Sequence, residues 1–330
     1  MACSSDDSGD GEEITSISVS SSSTLILGGT ATFTVTTNTG DDVTSSSEIF
    51  VDGTALTDNT FTPTAEGMYE ITAQYADLTS AVFELTVVAD GQLFPKRVLI
   101  EDFTGTWCGN CPKVANAIDM VQAQSDNVVV VAVHQADGSQ PDPYDFPEDI
   151  LDPPGVTQGL PQARLNRNVV WPFVNAPDLD LALNLTGDDA TVGLAIDSEV
   201  TSGNLNVSVD VKFGLDHSGE NLKLVVYVLE NGLIHNQVNY TTYYGGNDPI
   251  VDFEHNHVLR ASLTDLHGNS IPDAQTASGN VYNKTFNVAV PSSVENAANI
   301  SIAAFVVGAD GTAVNSRDAQ VGMDQEFQEL

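Results

Sequence analysis

Two cysteines with two residues between them give the sequence its clearest chemical signal. Cys108 and Cys111 lie between a mostly apolar run, residues 98–103, and a segment, residues 114–121, whose apolar residues recur at helical spacing. We therefore expect a strand, a turn and a helix, with the first sulfur at the helix N-terminus, where backbone N–H groups and the helix dipole favour a thiolate. The second sulfur then lies one helical turn further on, within disulfide reach. This spacing predicts a thiol that is a nucleophile near neutral pH.

Two other interpretations of the pair compete with thiol chemistry. A zinc site would need further ligands, but the sequence has no second pair of this kind, and a strand–turn–helix context is not that of a zinc ribbon. The other alternative is a structural disulfide that is strained shut or covered by a neighbouring domain. Access to the sulfur of Cys108 distinguishes these cases, because exchange requires an exposed sulfur.

His134 ends the strand that is predicted over residues 128–133. Functional groups in open α/β sheets collect at the carboxyl ends of strands, which is also the edge that carries the cysteine pair. At that edge His134 can stabilise a thiolate or relay a proton. The alternative is that it only caps the strand.

A second group of candidate ligands follows later in the chain. His255 and His257 are expected on one face of a strand, where they suit two ligands of one metal ion, with Asp252 or Glu254 nearby. Such pairs more often hydrogen-bond within a sheet or a loop, so a metal is the weaker interpretation. Arg260 is one of only 10 basic residues, and we expect it to form an internal ion pair with an acidic neighbour.

The segments around the cysteine pair predict a strand–helix–strand unit. Residues 128–133 are a continuous run, VVVVAV, typical of a strand that is covered on both faces. We expect this strand to pair in parallel with residues 98–103. The stretch 135–159 is rich in Pro and Asp and is expected to be irregular, and residues 160–167 resume as a strand entered through Pro161.

Alternating polar and apolar residues dominate the rest of the chain. Residues 14–89 lack Lys and Arg and carry short period-2 runs between turn dipeptides, which predicts a small antiparallel sandwich. The same alternation later in the chain predicts a second, larger sandwich. The predicted domains are a tether at 1–13, a sandwich at 14–90, an α/β domain at 93–189 and a β-sandwich at 190–330.

The amino terminus is typical of a mature bacterial lipoprotein. Cys3 is followed by a small, acidic, Gly- and Ser-rich stretch, and no basic and apolar leader segments precede it. We expect Met1 and Ala2 to stand in place of a removed signal peptide, Cys3 to carry acyl chains, and residues 4–13 to form a flexible spacer. The alternative is that Cys3 is an incidental thiol.

The charge of the chain excludes several classes of partner. The sequence has 46 acidic and 10 basic residues, a formal net charge of −36, whereas nucleic acids and anionic membrane surfaces attract basic proteins. It contains no run of 18 apolar residues, so no bilayer-spanning helix is expected. Contact with a membrane is therefore expected only through the lipid on Cys3.

Residues 94–188 resemble the thioredoxin superfamily. The resemblance rests on the WCGNCP motif between strand and helix, on Asp102 six residues before Cys108, and on Pro161. It implies that Cys108 attacks a substrate disulfide, that Cys111 resolves the mixed disulfide, and that Asp102 is the acid or base for the resolving thiol. It also implies that Pro161 follows a cis peptide bond and flanks the substrate cysteine. Asn110 stands where the family commonly has proline, so the direction of exchange stays open.

A narrower resemblance is to the outer-membrane-protein-28 lipoproteins of Bacteroidetes. It covers residues 93–325 and rests on VLIEDFTGTWCGNCP at 98–112, His134, GLP at 159–161, NR at 166–167 and HNHVLR at 255–260. It implies a lipid-anchored outer-membrane protein, at the periplasmic or the cell-surface face. Residues 63–69 in turn resemble a segment of bacterial immunoglobulin-like domains.

Together these resemblances imply a multidomain α/β plus all-β fold. A thioredoxin-like α/β domain would be flanked by an N-terminal immunoglobulin-like sandwich and a C-terminal β-sandwich. The implied function is thiol–disulfide exchange on protein substrates, with no cofactor beyond a redox-active Cys108–Cys111 disulfide. The alternative is a non-catalytic surface binding or adhesion protein, with an unknown surface partner, in which that disulfide is structural.

Overall fold

The computed structural model describes residues 13–146, 159–173 and 176–330. The chain divides into two compact units, Met1–Asp90 and Gly91–Leu330. Cys3 lies outside the described residues, so its acylation stays a prediction. Within the described ranges, no helix is long and apolar enough to cross a bilayer.

The first unit consists of short strands around one apolar core. Its strands are β1 (Ile17–Ser20), β2 (Thr24–Ile26), β3 (Ala31–Thr32), β4 (Thr34–Thr37), β5 (Glu48–Val51), β6 (Thr54–Ala55), β7 (Thr60–Phe61), β8 (Gly67–Tyr75), β9 (Leu78–Thr79) and β10 (Phe83–Val88). Six of them form a sheet in the order β2-β10-β8-β5-β6, with β9 beside β8, and the pairs β1–β4 and β3–β7 complete the unit. In β10 the apolar Leu85 is buried and the neighbouring Glu84 is exposed, as alternation predicts. This unit is β-rich as expected, and its immunoglobulin-like character is not confirmed.

The second unit contains the cysteine pair and both described helices. The helices are α1 (Pro112–Gln122) and α2 (Ala176–Leu183). The strands are β11 (Phe94–Lys96), β12 (Val98–Thr104), β13 (Val128–His134), β14 (Gln162–Leu165), β15 (Val169–Val170), β16 (Gly187–Ala190), β17 (Val192–Thr201), β18 (Asn204–Phe213), β19 (Lys223–Glu230), β20 (Leu233–Gln237), β21 (Ile250–His255), β22 (Val258–Ser262), β23 (Asn269–Ser270), β24 (Val281–Ala289), β25 (Ile300–Val307) and β26 (Ala313–Gln320).

The predicted strand–helix–strand unit is confirmed. Strands β12 and β13 run in parallel with Val98 opposite Val128, and α1 connects them. The helix starts with Pro112, whose fixed φ and missing N–H suit the first helical position. The apolar residues at helical spacing, Val114 and Ile118 among them, are buried against the sheet.

The expected fold class is nevertheless wrong, because no separate thioredoxin-like α/β domain is formed. Strands from both sides of residue 190 share one nine-stranded sheet, in the order β15-β14-β12-β13-β22-β19-β25-β26, with β23 beside β19. The junction is the parallel pairing of β13 with β22, where Ala132 lies opposite Val258. The free edge of β13 needs hydrogen-bond partners, and the later strands supply them. The unit is therefore mostly β, with only 11 and 8 residues in its two α-helices.

Two layers cover one face of this large sheet. Beside β12 and β13, residues such as Val98 and Ile100 pack against α1 and α2. Beside β19 and β25, residues such as Leu224 and Val226 pack against the three-stranded sheet β17-β18-β24. Because side chains alternate along a strand, Asp102 lies on the same face of β12 as Val98 and Ile100, the face that the helices cover. The carboxyl ends of these two strands thus open beneath the start of α1.

Candidate functional site

Cys108 and Cys111 form a disulfide in the turn that leads into α1. The turn is closed by hydrogen bonds from the Cys108 N–H to the Gly105 carbonyl, 2.9 Å, and from the Cys111 N–H to the Cys108 carbonyl, 3.1 Å. Only 3% of Cys108 and 1% of Cys111 is exposed. The sequence placed the pair correctly between strand and helix, but the first sulfur is not at the surface. The expected position of Cys108 at the helix N-terminus is also wrong, because α1 begins after both cysteines and Cys111 is its N-cap residue.

A segment from the later part of the chain covers this turn. We call Gln237–Tyr240, which begins at the last residue of β20, the cover segment. Its backbone donates two hydrogen bonds to the turn, from the Val238 N–H to the Thr106 carbonyl, 2.9 Å, and from the Tyr240 N–H to the Gly109 carbonyl, 2.7 Å. The amide of Gln237 donates to the carbonyls of Gly105, 3.2 Å, and Cys108, 3.0 Å. The turn is therefore held under the cover segment by groups on both sides of the first cysteine.

Asp102 lies on β12 opposite Ala132, on the sheet face that α1 covers. The residue is 5% exposed, and its Oδ1 has no hydrogen-bond partner. Burial penalises the charged form of this carboxyl and raises its pKa to about 8. Asp102 is therefore mostly protonated at neutral pH.

His134 is held by Asp142 rather than by the cysteine turn directly. The Nδ1–H of the imidazole donates to the Asp142 carboxylate, at 3.1 Å from Oδ2, and this leaves Nε2 as the ring nitrogen not used in that contact. Oδ2 also accepts the Thr106 N–H at 2.6 Å, and Oδ1 accepts the Tyr144 N–H at 2.8 Å. Desolvation acts to raise the pKa of Asp142, but the hydrogen bonds and the charge of His134 outweigh it and lower the pKa. Asp142 thus connects the cysteine turn to the histidine.

His255 and His257 do not share a strand. Strand β21 ends at His255, and His257 has a left-handed φ of 58°, so the expected common face is wrong. The ring of His255 packs edge-on to that of His134, with 5.1 Å between centroids. Burial lowers the pKa of His255 to about 3, and burial also lowers the pKa of His257. The two imidazoles are neutral at physiological pH.

One cavity brings most of these side chains together. It has a volume of about 320 Å³ and lies between α1, the ends of β12 and β13, and β21. It is lined by Asp102, Thr104, Cys111, Pro112, Ala115, Ile118, Asp119, Gln122, Val130, Ala132, His134, Gln237, Tyr244, Phe253, Glu254, His255, Asn256 and His257. The cavity thus collects acidic, imidazole and aromatic groups beside one sulfur of the disulfide.

The lining includes five of the candidate site residues and omits two. Asp102, Cys111, His134, His255 and His257 belong to it, whereas Cys108 and Pro161 do not. The Leu160–Pro161 peptide bond is cis, and Pro161 precedes β14, whose Gln162 lies opposite Phe103. The role of Pro161 beside a substrate cysteine stays a prediction.

Sequence reasoning missed the residues that surround the predicted ones. Asp142, Gln237 and Tyr244 carry no motif, and each lies in an irregular stretch or at a strand end. The one available signal was the acidic residue eight positions after His134 in a Pro- and Asp-rich stretch. In the described part of the chain, no group of three or more His, Cys, Asp or Glu side chains has a geometry suited to a metal ion.

The expected ion pair of Arg260 is confirmed. Its Nε lies 3.3 Å from Oε2 of Glu230, which is completely buried. The Glu230 carboxylate also accepts the backbone N–H groups of Glu295, 2.9 Å, and Asn296, 2.6 Å. Arg260 therefore stabilises β19 and β22 and is not a group of the cavity.

Comparison with known proteins identifies the family. HBP35 of Porphyromonas gingivalis is 20% identical, with a TM-score of 0.53 over 71% of this chain and 79% of that chain, which shows a shared fold. A domain of the outer membrane lipoprotein Omp28 from Porphyromonas gingivalis is 18% identical over 41% of this chain and 92% of that chain, with a TM-score of 0.27. No curated protein matches the sequence. Residues 155–325, more than half of the chain, match the family model of outer membrane protein Omp28, and the chain belongs to that family.

Proposed function

We propose that this protein is a lipid-anchored binding protein of the outer membrane in which the Cys108–Cys111 disulfide is structural. Membership of the Omp28 family supports the outer-membrane location. The observation that carries the rest is the burial of both cysteines, of which 3% and 1% is exposed, under the cover segment. Acylation of Cys3 would attach the chain, and residues 4–13 would separate the folded units from the lipid.

The reason for a structural role is access. Thiol–disulfide exchange requires an incoming thiolate to approach one sulfur of the disulfide. The hydrogen bonds from Gln237 and Val238 close the turn on the side of Cys108. In this role the disulfide fixes the conformation of the turn at residues 105–111. The carbonyl groups of that turn accept the hydrogen bonds from the cover segment. The recognition of a protein or other surface partner then falls to the β-rich units.

A second candidate is thiol–disulfide exchange, and one observation favours it. Cys111 lines the same cavity as the protonated Asp102. In the reduced protein, the Cys108 thiolate would attack a substrate disulfide and release one substrate thiolate. In the fraction of molecules whose Asp102 carboxyl is ionised, the Cys111 thiol would then give its proton to that carboxylate and attack the mixed disulfide, which reforms the Cys108–Cys111 bond and releases the second substrate thiolate. This sequence requires the cover segment to move away from Cys108.

A redox titration separates the two candidates. The Cys3→Ser protein is equilibrated in dithiol–disulfide buffers, and free thiols are counted by the mass shift after alkylation. For a structural disulfide we expect the bond to stay oxidised at buffer potentials down to about −300 mV, and the cysteines to be alkylated only after unfolding. A reversible midpoint between about −270 and −120 mV in the folded protein, absent in Cys108→Ser, would establish exchange instead.

A variant of the cover segment sharpens the result. Gln237→Ala removes the side-chain hydrogen bonds to the Gly105 and Cys108 carbonyls, so we expect faster reduction and alkylation than in the parent. Gln74→Ala is the matched control, because Gln74 is an exposed residue of the first unit. Equal rates in both variants would show that the Gln237 hydrogen bonds do not limit access to the sulfurs.

A further inference from the structure

The cavity beside the disulfide has features that a structural disulfide does not need. We propose that it binds a small organic cation, a primary ammonium group on a short aromatic or aliphatic stem. The inference rests on the proposed binding function and names its ligand class. It requires the disulfide to be closed, as it is in this structure.

The walls of the cavity suit the stem of such a ligand. Ala115 and Ile118 of α1 and Val130 and Ala132 of β13 form an apolar side. A volume of about 320 Å³ is at the small end of the range for small-molecule sites. The cavity therefore accommodates a compact ligand with an apolar body.

Two residues of the lining carry a buried polar atom without a hydrogen-bond partner. Asp102 and His255 are each 5% exposed, and Asp102 Oδ1 and His255 Nε2 have no hydrogen-bond partner. The His255 ring hydrogen-bonds the backbone of His235, so its other nitrogen, Nδ1, makes that bond and Nε2 keeps the lone pair. A buried polar atom without a partner costs free energy, and an ammonium group, with three N–H donors, has donors enough for both atoms.

The charge at the cavity favours a cation over an anion. Asp119 on α1 and Glu254 on β21 are exposed and lie at its rim, and Asp102 lies within. The described lining contains no Lys or Arg. A positive ligand is thus attracted by the rim and would favour the ionised form of Asp102, with which it pairs as the carboxyl releases its proton, whereas a carboxylate or phosphate ligand would meet no positive side chain in the described lining.

Aromatic rings complete the site. The rings of Tyr244 and Phe253 meet edge-to-face with 5.1 Å between centroids, and the Tyr244 hydroxyl donates to Asp119 Oδ2 at 2.7 Å. Aromatic faces attract organic cations, and the Asp119 hydrogen bond fixes the Tyr244 ring at the cavity wall. Aromatic and carboxylate groups together are the chemistry that recognises an amine.

Three probes of nearly equal shape test the charge requirement. Binding of 2-phenylethylamine, 2-phenylethanol and phenylacetate to the full chain is measured by titration calorimetry, and the His255 ring is followed by NMR. We expect the amine to bind at least about tenfold more tightly than the alcohol, because charge-assisted hydrogen bonds are the stronger ones, and phenylacetate not to bind. Equal binding of amine and alcohol, preference for phenylacetate, or no binding of the amine would overturn the proposal.

Variants locate the bound amine. Asp102→Asn keeps the shape of the side chain and removes the carboxyl that would ionise beside the bound ammonium, and Glu254→Gln removes a charge at the rim. Both are expected to weaken amine binding, Asp102→Asn by at least about tenfold. Asp77→Asn is the matched control, since Asp77 is exposed in the first unit. If all three variants bind the amine like the parent, the amine does not occupy this cavity. The redox titration reads the disulfide and not the cavity, so failure of this proposal is distinguishable from failure of the structural role.

Discussion

The ring of Tyr240 lies directly over Gly109, between the two cysteines. A Cβ atom added to Gly109 would lie 2.3 Å from the tyrosine ring, and the Tyr240 N–H donates to the Gly109 carbonyl at 2.7 Å. The other side of Tyr240 faces solvent, with 71% of the residue exposed. Glycine is thus required at this position by the close approach of a chain segment far away in the sequence.

Replacing that glycine is expected to open the cover. Gly109→Ala forces Tyr240 to move, which we expect to lower the free energy of unfolding by about 1–3 kcal/mol, the usual cost of overpacking. The sulfurs should then be alkylated faster after reduction. Urea unfolding followed by tryptophan fluorescence measures the stability, since both tryptophans belong to the second unit. Adding Tyr240→Ala to Gly109→Ala should recover part of the lost free energy of unfolding. If the double variant is as destabilised as expected from the two single changes added together, the clash with the Tyr240 ring is not the cause.

Asp102 is expected to make stability fall as the pH rises. Its folded pKa of about 8 is far above the ordinary value of 3.8, so between these values the folded state holds a proton that the unfolded state has released. Relative to Asp102→Asn, the parent should lose up to about 1.4 kcal/mol of unfolding free energy per pH unit between about pH 5 and 7. Urea titrations of both proteins across this range give the difference. Parallel pH profiles would show that Asp102 titrates normally.

His255 is expected to have the opposite effect at lower pH. Its folded pKa of about 3 lies below the ordinary value of 6.5. Between these pH values the unfolded state binds a proton on this imidazole and the folded state does not. Relative to His255→Gln, the parent should lose stability as the pH falls through 6.5 toward 4, with a limiting slope of about 1.4 kcal/mol per pH unit. Thermal unfolding at several pH values measures this slope. If the stability of the parent relative to His255→Gln is the same at pH 4 as above pH 6.5, the imidazole is not held neutral in the folded state.

The buried Glu230 is expected to be a major stabilising group. Glu230→Ala leaves Arg260 and two backbone N–H groups without their acceptor, and breaking a buried ion pair from one side costs about 3–5 kcal/mol. Glu199→Ala, at an exposed strand position, is the matched control and should change stability by less than about 0.5 kcal/mol. Urea unfolding of the two variants gives the comparison. A loss below about 1 kcal/mol for Glu230→Ala would mean that water or another donor replaces the carboxylate.

Local patterns predicted the local parts of the fold. The helical spacing of Val114 and Ile118 and the β-branched run of residues 128–133 were sufficient for α1, β13 and their parallel partner β12. The pairing of β13 with β22 was missed, because a strand that is buried on both faces shows no preference for a particular neighbour. Resemblance to a self-contained α/β domain then led to the wrong fold class.

In the candidate site, too, the local features were predicted from the sequence and the long-range contacts were missed. The cysteine pair and Asp102 were identified because their spacing along one segment carries the signal. Gln237 and Tyr240 were not, because their contacts with the turn depend on the path of a later hairpin, β20 and β21, and leave no motif. Access to a sulfur is a property of distant neighbours, so the sequence alone left the choice between exchange and a structural disulfide open.

The pairing of β13 with β22 also constrains how the second unit folds. Strand β13 is synthesised well before β22. The backbone groups on one edge of β13 can pair only after Val258 and the strands that follow it have been synthesised. Until then the strand presents an open, apolar edge of the kind that pairs with other chains. Sheets completed by such long-range contacts form slowly. We therefore expect a chain truncated before β22 to aggregate, and a chaperone that shields strand edges to speed the folding of the full chain.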